Sequence, residues 1–302
     1  MTLSFIICTY NRDKYIYQCL SRLAANSHQD DWEIILVDNH STDDTAVQCQ
    51  RFATDYSWVN YHYFVEMQQG LSFARNRGIK EANGEWLVFL DDDAMVESDY
   101  VNHLLALLRQ YPEAGAFGGQ IAPFFEEKEP EWMSRWTMGF VSAIDMGEKV
   151  CVFPRGKFPI GANMGIARSV IRQVGVFNTA LGRTKETLLG GEEKDLFLRI
   201  QAKDIPVLYF PGIKVQHCIP PRRTTKEFIQ RLGYGVGRSE RLRTLGSGKL
   251  EYVKRVCLEF LKWGATMLLW CFFLLKGTPA KGNILVTFRC QVSKGLFSNG
   301  VL

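Results

Sequence analysis

The sequence predicts an α/β fold: a mostly parallel central sheet flanked by helices, followed by a basic, partly hydrophobic helical extension. Three observations carry this. Short apolar runs alternate with amphipathic segments from residue 3 to residue 111. The apolar runs are continuous rather than alternating, as in strands buried on both faces. Polar residues collect where several of these runs end, at Thr9–Asn11, Asp38–Asn39 and Asp91–Asp93.

The first strand is LSFIIC (3–8), which runs into the polar turn TYNR. Residues 12–26 follow as a helix, with Tyr15, Cys19, Leu20 and Leu23 on one face. WEIILVD (32–38) is the second strand. A helix over 43–56 has Thr42 or Asp43 near its N-cap. WVNYHYFV (58–65) and EWLVFLDDDA (85–94) are further strands, with a helix over 70–82 between them. Residues 98–111 read as a helix capped by Ser98. Beyond it, 116–125 is a strand with a bend, and 126–140 is an exposed loop anchored by Trp132 and Trp136. Residues 158–178 read as strand, glycine-rich approach and helix. Residues 190–204 form an amphipathic helix, and 207–218 hold two short strand-like runs ending at His217. In open α/β sheets ligands bind beyond the carboxyl ends of the strands, so the polar residues there are the first candidates for function.

Composition divides the chain. Of its 302 residues 46% are apolar and 23% charged, ordinary globular values. Residues 1–221 carry 21 Lys/Arg against 28 Asp/Glu, whereas 222–302 carry 15 against 4. The expected organisation is a domain over 1–221 and a basic, amphipathic extension over 222–302. That extension favours an anionic membrane surface. Its apolar run 263–275 is short for a bilayer span, so an interfacial or re-entrant segment is expected, with a helix packed on the domain as the alternative. Nucleic acid is disfavoured as a partner, since no recognised motif accompanies the charge. The eight cysteines form no C-x-x-C pair, which points to a reducing, cytoplasmic compartment. No basic n-region or small-residue cleavage site precedes the first strand, so no secretory leader is expected.

Asp91, Asp92 and Asp93 form the strongest local signal. Three carboxylates after a buried strand repel one another, and a hard divalent cation relieves that repulsion while bridging to phosphate oxygens. A solvated acidic turn or helix cap is the structural alternative. Asp38 suits a ribose or base N–H, or an Asx turn. Arg75 suits a diphosphate or a surface ion pair. Glu192 and Glu193, beside a Gly-Gly bend, suit a general base or a first-turn cap.

In order along the chain, FIICTYNR, VDNHSTDDT, GLSFARNRGI, FLDDDA and LGGEEKDL resemble the motifs of the family 2 glycosyltransferases over about residues 3–218. The resemblance implies a GT-A fold, with its Rossmann-like sheet, and an inverting transfer of sugar from a nucleotide-diphosphate donor, a UDP- or GDP-sugar, to a glycan or lipid-linked acceptor. It implies that Thr9, Asn11 and Asp38 line the nucleotide pocket, joined by Arg75, Asn76 and Asp91. It places Mg2+ or Mn2+ on Asp91 and Asp93, with His217 as a further ligand, and Asn163 and Asp92 beside the donor or acceptor sugar. Glu193 stands where the family carries Asp, one methylene longer, and Glu192 is the other candidate base. The implied setting is polysaccharide or cell-surface glycan assembly at the inner face of the cell membrane. Two other readings are a nucleotidyltransferase on a related core, disfavoured by the absence of glycine in TYNRDKY, and an inactive membrane-binding relative.

Overall fold

The computed structural model describes residues 1–26, 32–182 and 190–298. Two compact units divide the chain. The first comprises Met1–Phe124, Ser142–Ala180 and Glu192–Cys218. The second comprises Phe125–Val141, Leu181–Gly191 and Ile219–Leu302.

The first unit is built on a nine-stranded sheet. Its strands are β1 (Leu3–Thr9), β2 (Trp32–Asp38), β3 (Tyr61–Val65), β4 (Trp86–Asp91), β5 (Ala94–Val96), β6 (Ala116–Phe125), β7 (Cys151–Val152), β8 (Met164–Ala167) and β9 (Val207–Ile219). The order is β3-β2-β1-β4-β8-β6-β9-β5, with β7 also beside β9. The parallel pairing expected from continuous apolar runs holds for β3-β2-β1-β4. From β4 onward the pairs are antiparallel, as at β4-β8, β6-β8, β5-β9 and β7-β9.

Helices cover both faces, and the strand alternation sorts them. Leu3, Phe5 and Ile7 of β1 face a core shared with α1 (Asp13–Ala24), α2 (Thr45–Asp55) and α4 (Tyr100–Gln110). Ile6 points the other way, into a core shared with α3 (Leu71–Glu81), α5 (Arg168–Val174) and α6 (Glu192–Gln201). The side-chain period of two in a strand makes this division automatic.

Three boundaries depart from expectation. α2 starts after Asp44, and Asp43 acts from just outside by accepting from the Thr45 amide at 3.0 Å. α4 is entered through Asp99 in a left-handed conformation, φ 62°, so Ser98 is not its cap. Residues 207–219 form one 13-residue strand across Pro211–Gly212 rather than two short ones. β9 has strand partners along its length, and they keep it extended through a dipeptide that would end an isolated strand.

The second unit contains α7 (Lys226–Ser247), α8 (Lys249–Leu275) and α9 (Pro279–Phe297). Thr225 caps α7, its side chain accepting from the Phe228 amide at 3.2 Å. α7 and α9 approach so closely that a Cβ on Gly237 would overlap the Val292 carbonyl oxygen, which is why a residue without a side chain sits there. Trp132 acts as the expected anchor of its loop, donating to the Thr224 carbonyl at 3.1 Å. α8 runs unbroken for 27 residues, so the short apolar run belongs to a longer helix. Among the described residues it is the one helix long and apolar enough to cross a membrane. Residues 299–302 of the extension, and Leu189 of the LGGEEKDL string, lie outside the described residues.

Candidate active site

The register of the parallel strands brings three strand ends to one rim. Thr9 lies opposite Asp38, and Cys8 lies opposite Asp91. After Asp91 the chain turns into β5, which pairs antiparallel with β9 and sets Ala94 opposite His217. The Cys218 amide donates to the Asp93 carbonyl at 2.9 Å, locking this register beside the carboxylates.

Asp91, Asp93 and His217 thereby converge, with one ligand atom from each lying within 4.8 Å of the others. His217 Nε2 is 3.0 Å from Asp93 Oδ1, and both side chains are almost wholly buried. Arg12 crosses from the β1 turn, its Nε donating to Asp92 Oδ1 at 3.1 Å and its Nη2 lying 3.4 Å from Asp93 Oδ2. Burial pushes the Asp92 carboxyl well above the usual range; Arg12 opposes that shift, and Asp93 and Asp91 add to it. Three adjacent carboxylates concentrate negative charge that the half-buried Arg12 and the more distant Arg75 offset only in part, and a divalent ion would relieve the rest. Two carboxylates and an imidazole suit such an ion chemically, with the imidazole favouring Mn2+ over Mg2+. The residues present fit a divalent metal.

Arg75, 3% exposed, organises the neighbouring carboxylates. Its Nη1 donates to Glu192 Oε1 at 3.0 Å and its Nη2 to Glu193 Oε1 at 2.9 Å, while Nη2 also lies 3.7 Å from Asp91 Oδ1. The Gly161 amide adds a 2.9 Å bond to Glu193 Oε1. Glu192 Oε2 is buried with no hydrogen-bond partner among the described residues. A Cβ on Gly161 would overlap Arg75 Nη2 and stand 2.5 Å from Glu193 Oε1. Gly161→Ala is therefore expected to cost about 1–3 kcal/mol, because Arg75 is buried and tied twice and cannot swing aside. A thermal melt equal to that of the parent would refute this reading of the bridge.

The other candidate residues divide into two groups. Asp38 is buried at the rim, its Oδ1 accepting from the Ser41 amide at 2.8 Å and its Oδ2 from Tyr63 OH at 2.7 Å. Thr9 is buried beside it on β1. Asn11, at φ 53°, uses its Oδ1 to accept from the Thr42 amide at 2.8 Å, tying the β1 turn to the β2 turn. Asn76 and Asn163 are not brought to the acidic cluster. Asn76 is clamped on the Phe177 main chain, donating at 2.9 Å and accepting at 3.0 Å. Asn163 is fully buried; Tyr100 OH donates to its Oδ1 at 2.5 Å, and its Nδ2 donates to the Gln120 and Ile213 carbonyls, both at 3.1 Å. These bonds fix the orientation of both side chains.

Sequence reasoning missed Arg12 and Tyr63. Arg12 stands in the quoted TYNR string, but its partner Asp92 is 80 positions away, and no local pattern announces such a pair. Tyr63 reads as one strand residue among several aromatics until β3 sets it beside Asp38.

Comparison with known proteins agrees with this fold. The chain is 25% identical over 272 residues to the glucosyl-dolichyl phosphate glucuronosyltransferase of Haloferax volcanii, covering 86% of this chain and 85% of that protein. It is 32% identical over 103 residues to the GalNAc(5)-diNAcBac-PP-undecaprenol beta-1,3-glucosyltransferase of Campylobacter jejuni, a match covering 34% of this chain and 33% of that one. Among solved structures it resembles the mannosyltransferase PcManGT of Pyrobaculum calidifontis in complex with GDP-Man and Mn2+, at a TM-score of 0.65 and 16% identity over 99% of this chain and 88% of that one. It also resembles S. aureus TarS in complex with UDP, at a TM-score of 0.56 and 16% identity, covering 78% of this chain and 65% of that one. The fold is GT-A. The profile of glycosyl transferase family 2 matches residues 4–175, more than half of the chain, and this protein belongs to that family.

Proposed function

We propose that this protein is an inverting, metal-dependent glycosyltransferase that moves a sugar from a UDP- or GDP-sugar to a lipid-linked acceptor at the cytoplasmic face of a membrane. The single observation that carries the reading is the convergence of Asp91, Asp93 and His217 at the carboxyl rim of the sheet. Asp91, Asp93 and His217 would hold Mn2+ or Mg2+, and the bound cation would neutralise charge on the departing nucleoside diphosphate. Thr9 and Asp38 line the nucleotide side, with Tyr63 fixing the Asp38 carboxylate. Asn11 shapes that pocket through its bond to the neighbouring turn. Arg12 holds Asp92 and Asp93 in place.

Glu193 serves as general base, being the more exposed of the pair at 16% against 5% for Glu192. Its carboxylate takes the proton of the acceptor hydroxyl as that oxygen bonds to the anomeric carbon. The bond from the anomeric carbon to the phosphate oxygen breaks on the opposite face, so configuration inverts. Arg75 is a positioning residue, fixing both glutamates against the Asp91 edge. Support for a lipid-linked acceptor comes from the Haloferax and Campylobacter relatives, whose names specify dolichyl phosphate and undecaprenol.

The test is a panel of UDP- and GDP-sugars offered with and without Mn2+ to polyprenyl phosphate-linked sugar acceptors, with the product anomer assigned by NMR. Inverted product that requires the metal is expected. Glu193→Gln should lower kcat by about 10²–10⁴-fold, and Glu192→Gln by less. Retained configuration or metal-independent transfer would defeat the proposal, and the reverse ranking of the two variants would move the base to Glu192.

A further inference from the structure

α8 is built inside out. Of its buried side chains Arg255, Glu259 and Thr266 are charged or polar, and Phe273 is apolar. Arg255 Nε donates to Glu240 Oε2 of α7 at 2.9 Å and Arg255 Nη1 to Glu259 Oε2 at 2.8 Å. Glu259, 2% exposed, also accepts from Arg289 of α9 at 3.3 Å and from Ser293 Oγ at 3.1 Å. The two tryptophans point the same way: Trp263 Nε1 donates to Ser293 Oγ at 2.8 Å and Trp270 Nε1 to Asn283 Oδ1 at 2.9 Å. The outward face is the reverse. Phe260, Leu261, Leu268 and Leu275 are 68%, 73%, 75% and 90% exposed, and Leu258, Met267 and Phe272 join them.

A helix beside water hides its apolar stripe and shows its charges. α8 does the opposite over roughly its last 20 residues, about 30 Å of helix. It is neither a core helix of a soluble bundle, since only 17% of its most apolar stretch is buried, nor an N-terminal signal. Glu259, the carboxylate that would bar this stretch from hydrocarbon, is sealed into the ion network instead. The rest of the bundle is wet. α7 exposes Lys226, Glu227 and Arg231, and α9 exposes Asn283 and Lys294. A vertical span would drag these charges into the acyl chains, whereas a helix lying in the plane leaves them toward water. Lys249, Lys254 and Lys276, all exposed, bracket the apolar face and suit contact with anionic headgroups.

We propose that the outward face of α8 sinks into the acyl-chain layer of one leaflet of an anionic bilayer, with the helix in the membrane plane. This rests on α8 itself and not on the assignment of donor, acceptor or metal. Cys257 and Cys271 are the exposed cysteines, and both belong to α8. The full-length protein, carrying an environment-sensitive NBD fluorophore on these two, is mixed with vesicles of phosphatidylcholine alone or with phosphatidylglycerol, and vesicles are recovered by flotation. Co-flotation with a blue-shifted NBD emission is expected, stronger with phosphatidylglycerol. Leu261→Glu combined with Leu268→Glu should weaken partitioning at least about tenfold, with the thermal melt unchanged because both side chains are already exposed. Two results would overturn the proposal. One is wild-type protein that stays in the aqueous fraction with unshifted emission. The other is a lipid-free wild-type dimer that the two substitutions split, which would assign the face to a second copy. Since no sugar donor enters the assay, failure of the transferase reading leaves its outcome untouched.

Discussion

Replacing Asp93 with Asn is expected to abolish metal-dependent transfer while leaving the fold intact. Asp93 is 2% exposed, 3.0 Å from His217 Nε2, and shares Arg12 with Asp92. In the metal-free protein its charge adds to the burial that lifts the Asp92 carboxyl. Removing that charge relieves repulsion, and Asn Oδ1 still accepts a hydrogen bond, so the metal-free melting temperature should hold or rise. The cost appears with metal. Wild-type protein at about 100 times the dissociation constant gains about 2.7 kcal/mol from the bound ion, and the variant should gain little. Loss of an electrostatic contact at the departing group typically lowers kcat by about 10²–10³-fold. Melts with and without Mn2+, together with initial rates, measure both effects. A variant that keeps its Mn2+-induced stabilisation and its rate would remove Asp93 from the metal site.

The second large effect is expected at Arg75. Its guanidinium is the shared counter-ion of Glu192 and Glu193, and all three belong to the first unit. Arg75→Leu leaves two carboxylates facing an apolar side chain, one of them 4% exposed. Removing one partner of a buried ion pair costs about 3–5 kcal/mol, because the remaining charge is stranded. For a unit of this size that corresponds to a fall in melting temperature on the order of 10 °C. The glutamates would lose the guanidinium that fixes their orientation, so activity should fall together with stability. Adding Glu192→Gln to Arg75→Leu removes one stranded charge and should return part of the loss, since contacting residues are not additive. Thermal melts of the two single variants and the double variant form the cycle. A near-parental melt for Arg75→Leu would show that the bridge carries no stability.

The two predictions separate two tasks at one rim. Asp93, crowded by Asp92, is expected to matter for binding more than for folding. Arg75, tied to two glutamates, is expected to matter for both. Sites that concentrate charge for function commonly give up stability locally, and here both Asp93 Oδ2 and Glu192 Oε2 are buried without a hydrogen bond among the described residues.

Much of this was legible in the chain. β1, β2 and β4 announce themselves because strands buried on both faces must be continuously apolar, and their short length and β-branched content set them apart from helix. The positions of Asp38 and Asp91 to Asp93 follow, since polar residues that end buried strands must emerge at the rim. The run of apolar side chains in α8 is equally visible, as is the excess of Lys and Arg around it.

Tertiary structure alone decided the rest, because long-range pairing has no local signature. The antiparallel half of the sheet, and the unbroken β9 across Pro211–Gly212, depend on strands that meet only after folding. His217 reaches Asp93 through the register of β5 on β9, and a slip of one residue would turn its side chain to the other face. By sequence Arg75 suits a diphosphate or a surface ion pair; packing sets its guanidinium, buried, against two glutamates more than a hundred residues away. Asn163 and Asn76 carry side chains suited to a sugar or a phosphate, and packing sets both against main-chain groups that no local pattern foretells. In α8 the sequence determined how apolar the helix is. Which way its few charges point was settled by Glu240, Arg289 and Ser293 on the adjoining helices, because a buried charge goes where its partners are.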